Sequence, residues 1–220
     1  MNQPFLTSLQ KTFLKLFFQT YLGRKFFLTG GTALAAFYLK HRVSQDLDIF
    51  TLDQELDFDE VNAEVRKIAF SLRLGTDHRV STSTFSQFFL KTKRGEILKV
   101  DLVREVPIQF GRIKNREGIR IDSLEDIAVN KLLAIYGRLD AKDYVDFYFL
   151  IKEGLINFTR IFKKAQKKDA GLNELYFANM IIGVRQLKHF PKTLKPFSKD
   201  KLVDFYLELS EKMLKKIKPK

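Results

Sequence analysis

The chain has 220 residues, 45% of them apolar, a net charge of +13 and no cysteine. The lack of cysteine excludes disulfides, thiolate nucleophiles and cysteine zinc sites, and it fits a reducing compartment, for which the cytoplasm is the default. No apolar run reaches the ~18 residues of a membrane span, so we expect no membrane segment. The length and apolar content suffice for one folded domain, or for a larger domain with a smaller helical one.

The N-terminal segment predicts a helix, a short strand and a glycine turn that opens a second helix. The first helix is expected from about Pro4 to Leu22, because polar residues interrupt its apolar run at helical spacing. A strand over residues 25–29 ends at Gly30-Gly31, and the nearly apolar segment from Thr32 to Lys40 predicts a buried helix. A glycine turn at the start of a helix can cradle phosphate, although most Gly pairs are only tight turns.

Two acidic residues alternate with apolar ones in the next predicted strand, which extends from Gln45 to Phe50. Asp46 and Asp48 lie on one face of this strand, and Leu47 and Ile49 lie on the other. Two carboxylates that point the same way can share a metal ion. This strand is therefore a candidate for chemistry.

Asp57 and Asp59 have the same spacing, and they show how weak that evidence is on its own. They precede a helical pattern that extends to about Leu74, where aspartate is a good N-cap and first-turn residue. We assign them no chemistry. Asp46 and Asp48 differ because they lie in a predicted strand that follows a glycine turn.

A third acidic residue lies in a predicted β-hairpin. The strands of the hairpin are expected at Phe85–Lys91 and Ile97–Arg104, with Gly95 in the turn. Asp101 stands in the otherwise apolar second strand. Because burial of an unpaired carboxylate is costly, Asp101 needs a cation nearby.

Two sources could supply the cation that Asp101 needs. If its strand lies beside that of Asp46 and Asp48, three carboxylates converge where one or two Mg²⁺ ions could bind together with a triphosphate. Alternatively, Asp101 pairs with Lys99 or Arg104 at the edge of the sheet. The sequence leaves both alternatives open.

The rest of the chain is expected to be mostly helical. The run Asp122-Ser-Leu-Glu125 resembles a capping box at the start of a helix from Leu124 to Arg138. Lys131 lies on the inward apolar row of this helix, so its ammonium must find an anion or reach solvent. The anion is either a nucleotide phosphate or the pair Asp143 and Asp146, which share a face of the next predicted helix.

The positive charge is concentrated in the C-terminal third. Residues 151–220 contain 17 Lys and Arg against 7 Asp and Glu, a net charge of +10, which leaves +3 for residues 1–150. A basic helical segment that contains Phe and Tyr suits a polyanionic partner, through phosphate contacts and counterion release. The alternative is a solvated lysine-rich face that only keeps the protein soluble.

Four segments, in this order along the chain, resemble the AbiEii/AbiGii nucleotidyltransferase toxins of the DNA polymerase β-like superfamily. They are the Gly-Gly-Thr turn, the Asp-x-Asp strand, the capped helix with its lysine, and the helix with Asp-x-x-Asp. The ordered set spans roughly residues 26–150 and is more specific than any one motif. The segments are residues 27–35, 41–50, 123–134 and 142–146.

The resemblance implies an α/β (α+β) fold in two domains. Residues 1–121 would form a nucleotidyltransferase domain with a small mixed sheet. Residues 122–220 would form a helical, basic domain. The last 70 residues carry no motif of the family that we recognise, beyond being helical and basic.

The resemblance also assigns catalytic residues. Asp46, Asp48 and Asp101 would be catalytic and would bind Mg²⁺, with two ions expected and a nucleoside triphosphate as substrate. Lys131 would be catalytic and would contact the nucleotide. The Mg²⁺-dependent reaction would transfer a nucleoside monophosphate to an acceptor hydroxyl and release pyrophosphate.

Other residues would bind the nucleotide without taking part in the reaction itself. Asp143 or Asp146 would complete the lower half of the site. Arg42 would hold a phosphate or would simply pair with Asp46, and the sequence does not decide between these. The remaining residues implied for nucleotide binding are those of the glycine turn and one serine, namely Gly30, Gly31, Thr32 and Ser44.

The resemblance finally implies a biological role. The chain would be the toxin of a toxin–antitoxin (abortive infection) system, with a cognate antitoxin typically encoded beside it. Its acceptor would be the 3′ end of tRNA, which the basic C-terminal third also favours. The alternatives are a small-molecule transferase of the aminoglycoside type, a protein nucleotidyltransferase, and a non-catalytic module that binds RNA or nucleotide.

Overall fold

The computed structural model describes residues 5–217, which form two compact units. The first comprises residues 5–38 and Val43–Ser123, and the second comprises Leu39–Arg42 and residues 124–217. The short segment Leu39–Arg42 therefore belongs with the C-terminal helices, although it lies far from them in sequence. Pro4, where we expect the first helix to begin, lies outside the described residues.

The first unit is built on a mixed sheet of seven strands. Across the sheet their order is β3-β4-β5-β2-β1-β7-β6, in which β2–β5 and β1–β7 are parallel pairs and the other neighbours are antiparallel. The predicted mixed α/β class is thus confirmed. The strands are β1 (Phe26–Thr29), β2 (Leu47–Thr51), β3 (Gly75–Ser81), β4 (Phe85–Lys91), β5 (Ile97–Arg104), β6 (Lys114–Arg116) and β7 (Ile119–Ile121).

The observed sheet is larger than the predicted one. The hairpin of β4 and β5 has the predicted bounds, and Gly95 in its turn has a φ of +88°. In contrast, β3, β6 and β7 are not predicted, and the expectation that the chain after the hairpin is mostly helical is wrong for these last two strands. The outermost strands β3 and β6 are largely exposed, so they lack the apolar alternation that reveals a strand.

Within the described part of the first unit, three α-helices and a 3₁₀ turn at Leu22–Lys25 accompany the sheet; the α-helices are α1 (Ser8–Gln19), α2 (Gly30–Leu34) and α3 (Phe58–Ser71). A capping box of Thr7 and Gln10 begins α1, and the helix ends before the predicted Leu22 because Thr20 adopts an extended backbone. The side chain of Asp57 accepts a hydrogen bond from the Asp59 amide at the start of α3. The predicted capping role of Asp57 is confirmed.

The buried helix predicted from Thr32 to Lys40 is present but irregular. Helix α2 gives way to a π-helical turn over Ala35–Leu39, and Lys40 has a φ of +54°, which ends the helical segment. The apolar character of the segment is explained by burial, because Ala33 and Leu34 are fully enclosed.

The second unit is helical. Its core contains the large buried side chains of Tyr144, Phe147, Phe177 and Tyr206, and the Tyr206 hydroxyl donates a 2.7 Å hydrogen bond to the Tyr144 carbonyl. No helix within residues 5–217 is long and apolar enough to cross a membrane. The helices are α4 (Leu124–Gly137), α5 (Ala141–Lys152), α6 (Phe158–Lys168), α7 (Glu174–Ile181) and α8 (Lys199–Leu214), with a 3₁₀ turn at Ile182–Gln186.

Backbone hydrogen bonds hold Leu39–Arg42 in the second unit. The carbonyl of His41 accepts a 2.6 Å hydrogen bond from the Leu194 amide, and Arg42 forms an antiparallel bridge with Thr193. The segment is thereby fixed beside the chain that leads to α8. This placement brings the His41 and Arg42 side chains among the C-terminal helices.

Candidate active site

The sheet places two of the predicted acidic residues side by side. Strand β2 pairs in parallel with β5, and Asp48 lies opposite Asp101 in the register. Leu47 and Ile49 are fully buried on the other face of β2. As expected, the strand of Asp101 lies next to that of Asp48, whereas Asp46 lies directly before β2, which begins at Leu47 and not at the predicted Gln45.

Lys99 connects Asp46, the remaining predicted acidic residue, with Asp101. The Nζ atom of Lys99 lies 2.7 Å from Oδ2 of Asp101 and 3.8 Å from Oδ2 of Asp46. The amide nitrogen of Gln87 donates a 3.0 Å hydrogen bond to Oδ1 of Asp101. The sequence leaves two sources open for the cation that Asp101 needs, a metal ion or a neighbouring basic side chain. The structure shows the second, because Lys99 contacts Asp101.

The charge of Lys99 is retained in this setting. Burial lowers the pKa of the Lys99 ammonium, but the hydrogen bond that it donates to Asp101 and the negative charges of Asp101 and Asp46 outweigh burial and raise that pKa above its ordinary value. Within residues 5–217, no group of three or more His, Asp or Glu side chains is gathered closely enough to hold a metal ion. The cation that joins Asp46 and Asp101 in this structure is the ammonium of Lys99.

The acidic residues nonetheless suit a divalent cation. Asp48 and Asp101 are neighbours on one face of the sheet, and the position of the Lys99 ammonium shows that a cation is accommodated between Asp46 and Asp101. Carboxylate oxygens are the ligands that Mg²⁺ prefers in proteins. The donor set therefore fits Mg²⁺, provided that Lys99 gives way.

The glycine turn packs directly on the first acidic strand. Gly30 has a φ of +67°, and a Cβ atom there would lie 2.0 Å from Oδ2 of Asp48. The Thr32 hydroxyl donates a hydrogen bond to the Asp46 carbonyl. Only glycine leaves room for the Asp48 carboxylate at this turn, so the turn and the strand form one structural element.

The other residues predicted around the turn are largely enclosed. Gly31 and Thr32 are buried, and the carbonyl of Ser44, itself buried, accepts a 3.1 Å hydrogen bond from the side chain of Gln10. The same Gln10 amide donates to the carbonyl of Gln45 at 2.9 Å. These contacts position the chain that enters β2, and contact of Thr32 or Ser44 with phosphate remains a prediction.

Substitution of Gly30 by alanine should destabilise the first unit and displace Asp48. Gly118→Ala is the matched control, because Gly118 also has a positive φ, +82°, but its Cβ would meet nothing within 4 Å. Both variants carry the backbone cost of about 1–2 kcal/mol, and Gly30→Ala adds a steric cost. We expect a lower free energy of unfolding for Gly30→Ala than for Gly118→Ala in urea titrations. Equal losses would show that the contact with Asp48 is unimportant.

The predicted residues of the C-terminal helices meet in a second cluster. The Nζ atom of Lys131 lies 2.7 Å from Oδ1 of Asp143 and 2.7 Å from Oδ2 of Asp146. The Arg42 guanidinium forms a fork with Asp146, through Nε at 2.7 Å and Nη2 at 2.8 Å. The pairing of Lys131 with both acids, one of the two alternatives from the sequence, is therefore present.

Two further basic side chains, the buried His41 and the exposed Arg138, complete an ion cluster around these two buried carboxylates. We call it the buried ion cluster, and it comprises His41, Arg42, Lys131, Arg138, Asp143 and Asp146. Nε2 of His41 lies 2.7 Å from Oδ1 of Asp146, and the His41 ring contacts Phe149. Nε of Arg138 donates a 2.8 Å hydrogen bond to Asp143. Four basic side chains thus surround two carboxylates.

The sequence indicates no role for His41, and it leaves a phosphate or Asp46 as the expected partner of Arg42. The structure instead pairs both residues with Asp146, about a hundred positions away in the chain. Asp46 is a natural guess because it is close in sequence. The signal that could have identified His41 is its place directly before Arg42, in a segment that resembles the family.

Asp146 and Lys131, two members of the buried ion cluster, are both kept in their charged forms by their neighbours. Burial would raise the pKa of Asp146, but the charge of Lys131 and the hydrogen bonds from Arg42 and His41 outweigh it and hold that pKa far below its usual range. Burial likewise lowers the pKa of Lys131, and the charges of Asp146 and Asp143 outweigh burial and raise it. Contact of Lys131 with a nucleotide stays a prediction.

The lowered pKa of Asp146 has a consequence for stability in acid. A carboxylate whose pKa falls on folding stabilises the protein fully above its unfolded pKa of about 3.9, and this contribution is lost as the pH falls toward the folded pKa. We expect the free energy of unfolding to fall by on the order of 1.4 kcal/mol per pH unit from this group below about pH 4. Urea titrations between about pH 5 and pH 3 would measure the slope, and a stability independent of pH would contradict it.

The mixed sheet, with carboxylates on two adjacent central strands and a glycine turn packed on the first, defines the nucleotidyltransferase class of fold. Solved structures of similar fold support this class. Two crystal structures from Helicobacter pylori, one of a putative nucleotidyltransferase and one of JHP933, are each 19% identical to the chain, with TM-scores of 0.62 and 0.60. Each alignment covers 94% of this chain, and 92% and 90% of the respective H. pylori chains.

A third solved structure carries the same fold. MenT4, a nucleotidyltransferase toxin from Mycobacterium tuberculosis, is 15% identical with a TM-score of 0.60, over 96% of this chain and 82% of MenT4. At these identities the likeness concerns the fold alone. No curated protein matches the chain by sequence.

The family to which the chain belongs is identified by a match over almost the whole sequence. The family model described as the nucleotidyl transferase AbiEii toxin of a type IV toxin–antitoxin system matches residues 13–217. The chain belongs to this family and is a nucleotidyltransferase of the toxin type. The resemblance seen in the four sequence segments is confirmed, and the match also includes the basic C-terminal third, in which we recognise no family motif.

Proposed function

We propose that the chain transfers a nucleoside monophosphate from a nucleoside triphosphate to the 3′ hydroxyl of tRNA, in an Mg²⁺-dependent reaction carried by Asp46, Asp48 and Asp101. The observation that carries this proposal is the register of β2 and β5, which sets Asp48 beside Asp101, with Gly30 packed on Asp48. Two carboxylates on adjacent strands, next to a glycine turn, suit a metal-bound triphosphate.

The side chains of this site have separate tasks. Asp46, Asp48 and Asp101 would hold Mg²⁺, which when bound neutralises charge on the phosphates and makes a hydroxyl more acidic. The amides of Gly30 and Gly31 would face the triphosphate, where backbone N–H groups bind anions without adding a side chain. Catalysis by such a site is largely a matter of position and electrostatics.

The reaction forms one bond and breaks another at the α-phosphorus. The acceptor oxygen attacks the α-phosphate, and the bond from the α-phosphorus to the bridging oxygen breaks, so pyrophosphate leaves. Asp101 would accept the hydrogen bond of the acceptor hydroxyl and take up its proton. The energy comes from the triphosphate, and no other co-reactant is needed.

The buried ion cluster would serve the nucleotide indirectly. Asp143 and Asp146 fix the ammonium of Lys131 from two sides, and the Lys131 side chain is 9% exposed. Through that exposed part Lys131 would contact the nucleotide, as the family resemblance implies. Arg42 would support this arrangement by neutralising Asp146, rather than by binding phosphate itself.

The charge of the second unit supports RNA as the acceptor. Helix α6 buries one apolar face and exposes a basic one, and the region from residue 151 onward carries a net charge of +10. A basic helical face binds the phosphate backbone of RNA through counterion release. The exposed basic side chains of α6 are Arg160, Lys163 and Lys167.

The acceptor can be identified by labelling. Purified protein, Mg²⁺ and each α-³²P nucleoside triphosphate in turn would be incubated with total tRNA, and in parallel with tRNA whose terminal ribose has been oxidised by periodate. Label on intact tRNA but not on oxidised tRNA is expected. Label on protein, on an aminoglycoside supplied in place of tRNA, or on oxidised tRNA would overturn the assignment of the 3′ hydroxyl.

The family description places the chain in a toxin–antitoxin system, so an antitoxin partner is implied. We propose that the chain acts in the cytoplasm, because both tRNA and nucleoside triphosphates are available there. Modification of the tRNA 3′ end would block aminoacylation, which accounts for toxicity. The antitoxin would then be the element that limits this damage.

A further inference from the structure

Lys99 stands among the carboxylates to which the proposed function assigns Mg²⁺. It lies two residues before Asp101 on β5, so both side chains project from the same face of the sheet. Its ammonium touches Asp101 at 2.7 Å and approaches Asp46 at 3.8 Å. The family motifs do not include this residue, and no step of the proposed reaction uses it.

An ammonium and a divalent cation cannot share Asp101 in this arrangement. Two positive charges a few ångströms apart repel by several kcal/mol at the effective dielectric of a protein surface. The Lys99 side chain is 27% exposed and has a flexible four-carbon stem, so it can swing away from Asp101 toward solvent. Its anchor on β5 nevertheless keeps it near the site.

We propose that Lys99 is a positioning residue that acts as the resident counter-cation of the acidic site. In the metal-free protein it neutralises Asp101 and Asp46. When a divalent metal binds, Lys99 leaves Asp101, and the triphosphate becomes its new partner. This inference rests on the proposed function, because it needs a metal and a nucleotide at these carboxylates.

The proposal sets an order of binding. Metal alone must displace Lys99 without giving its ammonium another partner, so binding of metal alone is weak. A metal–nucleotide complex brings phosphate oxygens to which the displaced ammonium can bind. The site is therefore loaded mainly by the complex, which prevents it from holding metal when no substrate is present.

The test is the affinity for Mn²⁺, a paramagnetic substitute for Mg²⁺, measured by electron paramagnetic resonance without nucleotide. Lys99→Met removes the charge and keeps the length of the side chain. We expect it to bind Mn²⁺ at least about tenfold more tightly than wild type, a change of about 1.4 kcal/mol. Lys99→Arg keeps the charge and should bind Mn²⁺ as wild type does.

Lys93→Met is the matched control for net charge. Lys93 is exposed in the turn of the same hairpin, so its removal makes the same change in charge away from the carboxylates. We expect less than about a twofold change in Mn²⁺ affinity, since exposed charges at that range are screened. An equal gain in Mn²⁺ affinity for Lys93→Met would show that the effect comes from the change in net charge alone, and it would overturn the proposal.

The second half of the test adds an unreactive α,β-methylene nucleoside triphosphate. The Mn²⁺–nucleotide complex should bind more weakly to Lys99→Met than to wild type, because the new partner of the phosphates is gone. Mn²⁺ affinity of Lys99→Met equal to or below that of wild type, or no Mn²⁺ binding by either protein, would overturn the proposal.

The two hypotheses fail separately. Tighter Mn²⁺ binding by Lys99→Met in a protein that transfers no nucleotide to tRNA would support the role of Lys99 and refute the proposed acceptor. Transfer of nucleotide to tRNA, together with equal Mn²⁺ affinities of Lys99→Met and wild type, would support the proposed acceptor and refute the role of Lys99. The metal measurement needs no turnover, so it is independent of the acceptor.

Discussion

Replacement of Asp48 by asparagine is expected to lower the rate of nucleotidyl transfer by about 10³-fold or more, which corresponds to roughly 4 kcal/mol of transition-state stabilisation. Asp48 is the residue on which two independent features converge, because it pairs in register with Asp101 and is packed against Gly30. Asparagine keeps the shape and removes the charge that a metal needs. The rate would be measured with α-labelled triphosphate and tRNA, and the melting temperature should stay within a few degrees of wild type.

The chain offers its own control for this substitution. Asp59 belongs to an Asp-x-Asp pair of the same spacing, but it lies exposed in the first turn of α3, after the N-cap Asp57. Asp59→Asn should transfer nucleotide at the wild-type rate. An Asp48→Asn variant that keeps more than about a tenth of the activity, when a lost electrostatic contact normally costs 10²–10³, would remove Asp48 from the reaction.

Replacement of Asp146 by alanine is expected to cost about 3–5 kcal/mol of folding free energy, the range for removal of one partner from a buried ion pair. Asp146 is fully buried and bonds Lys131, Arg42 and His41. Its loss leaves two buried cations with one carboxylate fewer. Urea unfolding followed by Tyr fluorescence should report this loss, because the adjacent Tyr144 and Tyr206 lie in the same unit.

Asp77→Ala is the control, because Asp77 belongs to an exposed ion pair and not to a buried one. Asp77 pairs with Arg79 at 2.8 Å, but both side chains are more than half exposed. Exposed pairs contribute at most about 1 kcal/mol, so Asp77→Ala should unfold close to wild type. If Asp146→Ala were no less stable than Asp77→Ala, the buried ion cluster would not hold the second unit together.

The central part of the fold can be predicted from local patterns. Strands β2, β4 and β5 alternate apolar and polar residues, and the helices α4 and α5 begin at recognisable polar residues. These elements carry the acidic residues of the candidate site except Asp46, which lies directly before β2. The sheet edges could not be predicted, because β3 and β6 bury little apolar surface and so leave no periodic signal.

The partners of the charged residues were harder to predict than their positions. Asp101 is recognisable in the sequence as a carboxylate that needs a cation, and Lys99 is one of the candidates because it lies two residues away on the same strand. It does not identify Asp146 as the partner of Arg42, because that pairing depends on where the chain folds back. Local periodicity predicts elements, whereas ion pairs between distant segments follow from tertiary structure.

The most direct test of the account is to follow the two ends of the triphosphate in one reaction. Wild-type protein, Mg²⁺ and tRNA would be incubated with the triphosphate labelled at the α-phosphate, and in a parallel tube with the label at the γ-phosphate. Nucleotidyl transfer predicts α-label on the tRNA and γ-label in pyrophosphate, with both products formed about 10³-fold more slowly by Asp48→Asn. γ-label on the tRNA, or α-label that Asp48→Asn transfers equally well, would contradict the account.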